Sequence, residues 1–263
     1  MSLQRLLTRL FAALLIGTLM AGCVTETKST GASINPGAED LQEASRINTQ
    51  LGFDYMRKGM NDLALEKLNR ALEQNPRNAD AHSALALLYT RTGDAPAAER
   101  HYRRALALEP NNPAIQNSFG AWLCSSGKAE ESIQYFLQAA QNPRYRTPAA
   151  AYSNAGACAA QLNRLDEAEK YLRQALQLDE KFADALAQMA IVSYRQRSYL
   201  QARAFVQRYE SVGNVSPDML VLGMRTETQL GDSRAAKEYE RRLRSNYPEV
   251  AERLDSQPAN PNQ

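Results

Sequence analysis

The stretch Leu85–Pro110, LALLYTRTGDAPAAERHYRRALALEP, decides the fold. Leu85-Ala86 and Tyr89 open it, Gly93 breaks it, and Ala98, Tyr102 and Ala105 follow before Pro110. Apolar residues at helical spacing stand on both sides of the glycine, so the segment reads as two short amphipathic helices joined by a turn. Proline after the second helix cannot continue it and separates the unit from the next. The same pattern lies 34 residues upstream: Tyr55 precedes Tyr89, Gly59 precedes Gly93 and Pro76 precedes Pro110 at that distance. Gly127 continues the glycine series, and Ala64, Ala98, Ser132, Ala168, Ala202 and Ala235 continue a small-residue series at intervals of 34, 34, 36, 34 and 33.

A period of 34 with small, aromatic and proline positions in this order is the tetratricopeptide repeat signature. The expected fold is all-α, a right-handed superhelix of six helix-turn-helix repeats at about 45–78, 79–112, 113–148, 149–182, 183–215 and 216–249, within a domain spanning 45–254. Small residues at the eighth position (Gly52, Ala86, Gly120, Gly156, Ala190, Gly223) let the first helix of each pair, helix A, approach the second, helix B. A single pair leaves an apolar side uncovered, so stability comes from stacking, and stacked helices form a long surface suited to holding other proteins. Repeat six matches least, as a terminal repeat facing water should. The one interval of 36 places two extra residues between repeats three and four, in the Pro-bracketed loop Gln141–Pro148. Arg144, Tyr145 and Arg146 make that loop cationic and aromatic; it is either a tolerated surface insertion or a candidate partner-binding loop.

The front of the chain reads as an export signal. Arg5 and Arg9 precede the uncharged run Leu10–Met20, and Ala21-Gly22 precede Cys23. The run is too short for a stable membrane span, so residues 1–22 are expected to be a signal peptide. The sequence LMAGC resembles the bacterial lipoprotein box, with Met20 where Leu is usual; the resemblance implies cleavage before Cys23 and its acylation, against the plainer alternative of an ordinary secretory signal. Several acyl chains at roughly 0.8 kcal/mol per buried methylene make a durable anchor. Val24, rather than Asp, follows the cysteine, which in resembling lipoproteins points to the outer membrane with the folded part in the periplasm. Residues 23–44, rich in Thr, Ser, Gly and Pro, are expected to form a flexible tether, and residues 255–263 a disordered tail.

The chain has 31 basic and 29 acidic residues; loss of residues 1–22 removes two arginines and balances them. No clustered basic footprint for nucleic acid is present, since Arg241, Arg242 and Arg244 follow Glu238 and Glu240 on one expected helix. His82 and His101, the chain's two histidines, lie 19 apart without acids or cysteines at metal-ligand spacing. No nucleophile elbow, zinc-protease motif or phosphate loop is found, so neither catalysis, a cofactor nor a small-molecule substrate is expected.

The segment Phe119–Ala159, FGAWLCSSGKAEESIQYFLQAAQNPRYRTPAAAYSNAGACA, is more specific than a generic repeat. It carries G-x-x-L-C-x-x-G at Gly120–Gly127, N-P-x-Y-x-T-P at Asn142–Pro148 and A-Y-x-N-A-G-x-C at Ala151–Cys158. In these motifs, and in its signal and repeat number, the chain resembles the type IV pilus biogenesis and stability lipoprotein family called PilF or PilW. The resemblance implies a pilotin without catalytic activity: an outer-membrane lipoprotein that helps the pilus secretin subunit reach the membrane, multimerise or remain stable there. A scaffold lipoprotein for other envelope or cell-wall machinery is the alternative.

Cys124 and Cys158 both fall late in helix A, of repeats three and four. Consecutive A helices are neighbours in such a stack and the periplasm is oxidising, so a disulfide is expected; two small buried thiols are the alternative, because Cα atoms must come within about 7 Å. In resembling proteins positions two, five, nine, twelve and thirteen of helix A face the concave groove. Carried across, the candidate groove residues are Phe53, Met56 and Arg57 in repeat one, Leu87, Thr90 and Arg91 in repeat two, and Asn117, Ala121 and Ser125 in repeat three. Ile191 and Arg195 follow in repeat five and Met224 in repeat six. Phe53 and Leu87 could instead pack between neighbouring helices. The chaperone-type carboxylate clamp is not expected, because Thr49 and Phe53 stand where it needs Lys and Asn. An apolar secretin segment docked in the groove fits better.

Overall fold

In the computed structural model, residues 37–213 and 215–256 are described. They form thirteen helices and no strand. Six pairs succeed one another: α1 (Ala38–Arg57) with α2 (Asn61–Gln74), α3 (Ala79–Thr92) with α4 (Ala95–Leu108), and α5 (Pro113–Ser125) with α6 (Ala129–Gln141). Then come α7 (Pro148–Gln161) with α8 (Leu165–Leu178), α9 (Ala183–Arg195) with α10 (Tyr199–Glu210), and α11 (Pro217–Gln229) with α12 (Ser233–Asn246). A last helix, α13 (Pro248–Ser256), covers the end of the array. The helices pack within each pair, each B helix touches the A helix after it, and each A helix touches the next A helix. This is a tetratricopeptide helical solenoid.

The repeat length is set at three places in the backbone. Some helix starts are capped by side chains: Asn78, Asp94, Asn112 and Asp232 each accept from a backbone N–H in the first turn of the helix that follows, at 2.9 to 3.3 Å. Pro113, Pro148 and Pro217 stand at first helical positions, where the missing N–H costs nothing. The turn from helix A to helix B needs one residue with positive φ. Gly59, Gly93, Gly127 and Gly231 supply it in four repeats, and Asn163 (φ 59°) and Arg197 (φ 60°) in the other two.

Helix A meets helix B at the eighth position. A Cβ built on Gly52, Gly120, Gly156 or Gly223 lies within 3 Å of Leu68, Phe136, Leu172 or Tyr239, in each case the sixteenth residue beyond the glycine. Those four side chains are buried, and each fully buried large apolar side chain contributes roughly 1.5–3 kcal/mol. The small residues Ala64, Ala98, Ser132, Ala168 and Ala202 are wholly buried, whereas Ala235 in repeat six stays half-exposed. Repeats one and two are further joined through polar groups. Asn78 Nδ2 donates to Ser45 Oγ at 2.8 Å and to Thr49 Oγ1 at 3.1 Å, and Ser45 Oγ donates to the Ala71 carbonyl at 2.7 Å. Ser45 and Thr49 are buried because this network replaces their water.

Two expected boundaries move. Helix α1 begins at Ala38, inside the stretch 23–44 expected to be a tether; Glu39 and Asp40 occupy its first turn, where the helix dipole favours acids. Helix α13 runs to Ser256, past the expected start of a tail at 255, because Ala251 is buried and Val250 and Leu254 pack against the core. Residues 1–22, Cys23 and residues 257–263 lie outside the described residues, as do the signal, the acylation and most of the tail expected there. Among the described residues no helix is long and apolar enough to cross a membrane.

Candidate partner-binding surface

The candidate surface begins on the A helices of repeats one and two. Phe53 on α1 and Leu87 on α3 are half-buried and pack against one cluster, formed by Met56, Ala64, Leu68, Ala84, Leu85 and Leu88. Part of each apolar side chain therefore remains open to a ligand while the rest is held by the core. Arg57, one turn beyond Phe53, is exposed, and its guanidinium pairs with Asp54 at 2.6 Å. A pair this exposed holds weakly and can exchange partners.

Three expected groove residues are placed otherwise. Met56 is 3% exposed and belongs to the core, because α3 packs over that side of α1. Arg91 turns back along the stack: its Nη1 donates to the Met56 carbonyl at 3.1 Å. Arg195 does the same three layers further on, Nη1 donating to the Ala160 carbonyl at 2.7 Å and Nη2 to Asn163 Oδ1 at 3.0 Å. The last carbonyls of a helix carry partial negative charge, and these two, which also accept the turn N–H of Gly59 and of Asn163, have a second lone pair that a cation from the next layer engages. These two arginines are thus interlayer caps. Thr90 likewise spends its hydroxyl on the Ala86 carbonyl, at 2.8 Å.

In the middle layers Cys124 on α5 and Cys158 on α7 are joined as a disulfide, with Cα atoms 6.0 Å apart. Beside it Asn154 Nδ2 donates to Asn117 Oδ1 at 3.1 Å, linking the same two A helices. Asn154 is not among the groove positions expected from the sequence; it stands 37 residues beyond Asn117, one place out of the 36-residue register between these two repeats, so spacing does not pair them. The inserted loop itself projects Arg144 and Arg146 into solvent and half-buries Tyr145 against the cluster of Ala139, Ala140 and Ala151.

Two further charged or titratable contacts lie off this surface. Glu227 on α11 is 3% exposed and makes a two-point ion pair with Arg203 of α10, one bond being 2.9 Å. His82 and His101 come together across α3 and α4, Nδ1 to Nδ1 at 3.0 Å. Burial pushes the His101 imidazole down to about 4, helped by the charges of His82 and Arg100. His82 is also lowered, chiefly by burial. Among the described residues no group of three or more His, Cys, Asp or Glu could hold a metal ion.

The tetratricopeptide repeat family matches residues 49–113 and 149–182. The type IV pilus assembly protein PilF of Pseudomonas aeruginosa is 29% identical over 234 residues, which cover 89% of this chain and 92% of that protein. The solved structure of PilW, described as a widely conserved type IV pilus biogenesis factor, is 32% identical with a TM-score of 0.74, over 78% of this chain and 94% of that one. The solved structure of Pseudomonas aeruginosa PilF is 30% identical with a TM-score of 0.73, over 79% and 94% of the two chains. With the repeat register, the paired glycines and the Phe119–Ala159 motifs already in place, the chain belongs to the tetratricopeptide-repeat family of type IV pilus biogenesis proteins that includes PilF and PilW.

Proposed function

We propose that this protein is a pilotin. In this reading Cys23 is acylated, the protein is moored to the outer membrane on its periplasmic side, and the A-helix surface of repeats one and two holds a segment of the pilus secretin. It acts by binding, promoting the secretin's localisation, multimerisation or stability, and not by catalysis. The observation that carries the reading is the half-covered pair Phe53 and Leu87 beside exposed Arg57, in a chain of this family. An amphipathic secretin segment would bury the open part of the apolar pair and meet the cation at its edge.

The test combines Phe53→Ala with Arg57→Glu. Both side chains reach solvent, so the fold should survive, while capture of the secretin by the full-length chain and the amount of heat-resistant secretin multimer should fall. Wild-type multimer in cells carrying a normally folded double variant would rule this surface out. Metabolic labelling with a fatty-acid probe, lost in Cys23→Ser, tests the anchor separately.

A further inference from the structure

A notch of about 580 Å³ lies between the turn joining α4 to α5 and the inserted loop before α7. One wall is Glu109–Ala114, with Pro110 and Pro113; the other is Arg144, Tyr145 and Arg146. The walls are tied to each other and to the helices. Asn142 Nδ2 donates to the Asn111 carbonyl at 3.0 Å, Asn142 Oδ1 accepts from the Arg144 amide at 3.0 Å, and Gln116 Nε2 donates to the Pro110 carbonyl at 2.8 Å. Tyr145 is packed against the cluster of Ala139, Ala140 and Ala151. The cavity is therefore built before any ligand arrives, which lowers the ordering cost of binding.

Its charge is unbalanced. Arg144 and Arg146 are exposed, and neither guanidinium has a hydrogen bond or ion pair among the described residues. The acid in the notch is Glu109, and one of its oxygens already accepts from Asn112 Nδ2 at 2.7 Å. Two unpaired, fork-shaped donors flank an aromatic ring and face two proline rings. That chemistry suits carboxylates carried on an extended chain, because guanidinium pairs bidentately with carboxylate and the rings offer apolar surface to the backbone between the charges. A flat anionic surface would not reach the floor of a concave notch.

We propose that this notch docks an acidic peptide segment of a partner protein, its carboxylates on Arg144 and Arg146 and its backbone across Pro110, Pro113 and Tyr145. The site is built from inter-repeat turns, apart from the A-helix surface, so it stands or falls independently of secretin binding.

The experiment measures fluorescence polarisation of the full-length chain with a labelled (Glu-Pro-Ser)3 peptide and a neutral (Gln-Pro-Ser)3 control. The acidic peptide should bind at least about tenfold more tightly than the control, and the Arg144→Gln/Arg146→Gln double variant, with unchanged circular dichroism, should lose about tenfold in affinity. Added salt should weaken the wild type more than the variant. No binding of either peptide, equal binding of both, or full binding by the double variant overturns the proposal. So does arginine-dependent retention on phosphatidylglycerol vesicles without peptide binding, which would assign the notch to a lipid surface.

Discussion

The guanidinium of Arg91 donates to the carbonyl of Met56, so a residue thirty-five places on in the chain closes the end of the preceding A helix. Arg195 repeats the contact on Ala160, with Asn163 as a second acceptor. Hydrogen bonds of this charged type contribute roughly 1.5–3 kcal/mol when protected and less at a surface. Arg91→Ala should therefore lower stability by about 1 kcal/mol and Arg195→Ala by about 1–2 kcal/mol, while Arg57→Ala changes it by less than about 0.5 kcal/mol. Urea titration of the three variants checks the order; an Arg57 effect as large as that of Arg195 would contradict the interlayer cap.

The Cys124–Cys158 bond closes a separation of 34 residues between two A helices already in contact. A loop of that length implies stabilisation of roughly 2–4 kcal/mol through the unfolded chain. Thermal unfolding of the oxidised protein should fall by several degrees on adding reductant, and the Cys124→Ser/Cys158→Ser variant should match the reduced protein and ignore the reductant. A melting temperature unmoved by reductant would remove the bond from the account of stability.

Arg197 holds φ 60° in the turn between α9 and α10, where four other repeats use glycine. A side chain in the left-handed region costs about 1–2 kcal/mol, and glycine's extra freedom in the unfolded chain returns about 0.5–1 kcal/mol of that. Arg197→Gly should thus stabilise by about 0.5–1 kcal/mol, whereas Gly93→Ala, at φ 85°, should destabilise by about 1 kcal/mol. Denaturant midpoints decide the matter, and a destabilised Arg197→Gly would refute the strain argument.

The two histidines make the stability of repeat two depend on pH. The Pro76 carbonyl only accepts, so His82 Nε2, 3.2 Å away, carries its proton, and His82 Nδ1 accepts from His101 Nδ1. Around the pair stand Tyr89, whose ring centre is 5.5 Å from that of His101, and the cations Arg100 and Arg104. His101 titrates near 4 when folded against 6.5 unfolded, so between these values the unfolded chain binds more protons. Stability from this pair is complete above about pH 6.5 and is lost as pH falls towards 4. Because the ring is only half-buried, the loss should be on the order of 1–2 kcal/mol rather than the full shift. Melting temperatures at pH 7 and 4.5 should differ more for the wild type than for His101→Leu; equal differences would show that the carboxylates alone produce the acid sensitivity.

Much of the fold could be read from spacing because the repeat constrains residues close together in the chain. The contact of Gly52 with Leu68 lies within one helix pair, so a small residue facing a large one sixteen places on is visible as a pattern. The nearness of Cys124 and Cys158 followed from the neighbourhood of A helices, but their Cα separation of 6.0 Å depends on how closely α5 and α7 cross. Met56 shows the opposite case. As a position in helix A it looks like a groove residue, yet the packing of α3 buries it. Asn163 and Arg197 conceal the turn position that glycine advertises in the other repeats. The pairing of His82 with His101 is equally hidden, since the offset between helices sets which of many side chains meet.

Local periodicity settled the number of helix pairs, the size each position tolerates and the place of the insertion, because apolar burial and backbone sterics act over one or two turns. The use of each charged side chain was settled by the stack instead. Arg91 and Arg195 are cations in the last turn of their helices, as Arg57 is, and only the layer beneath them, with its helix-end carbonyls in reach, makes two of them caps and leaves the third exposed beside Phe53.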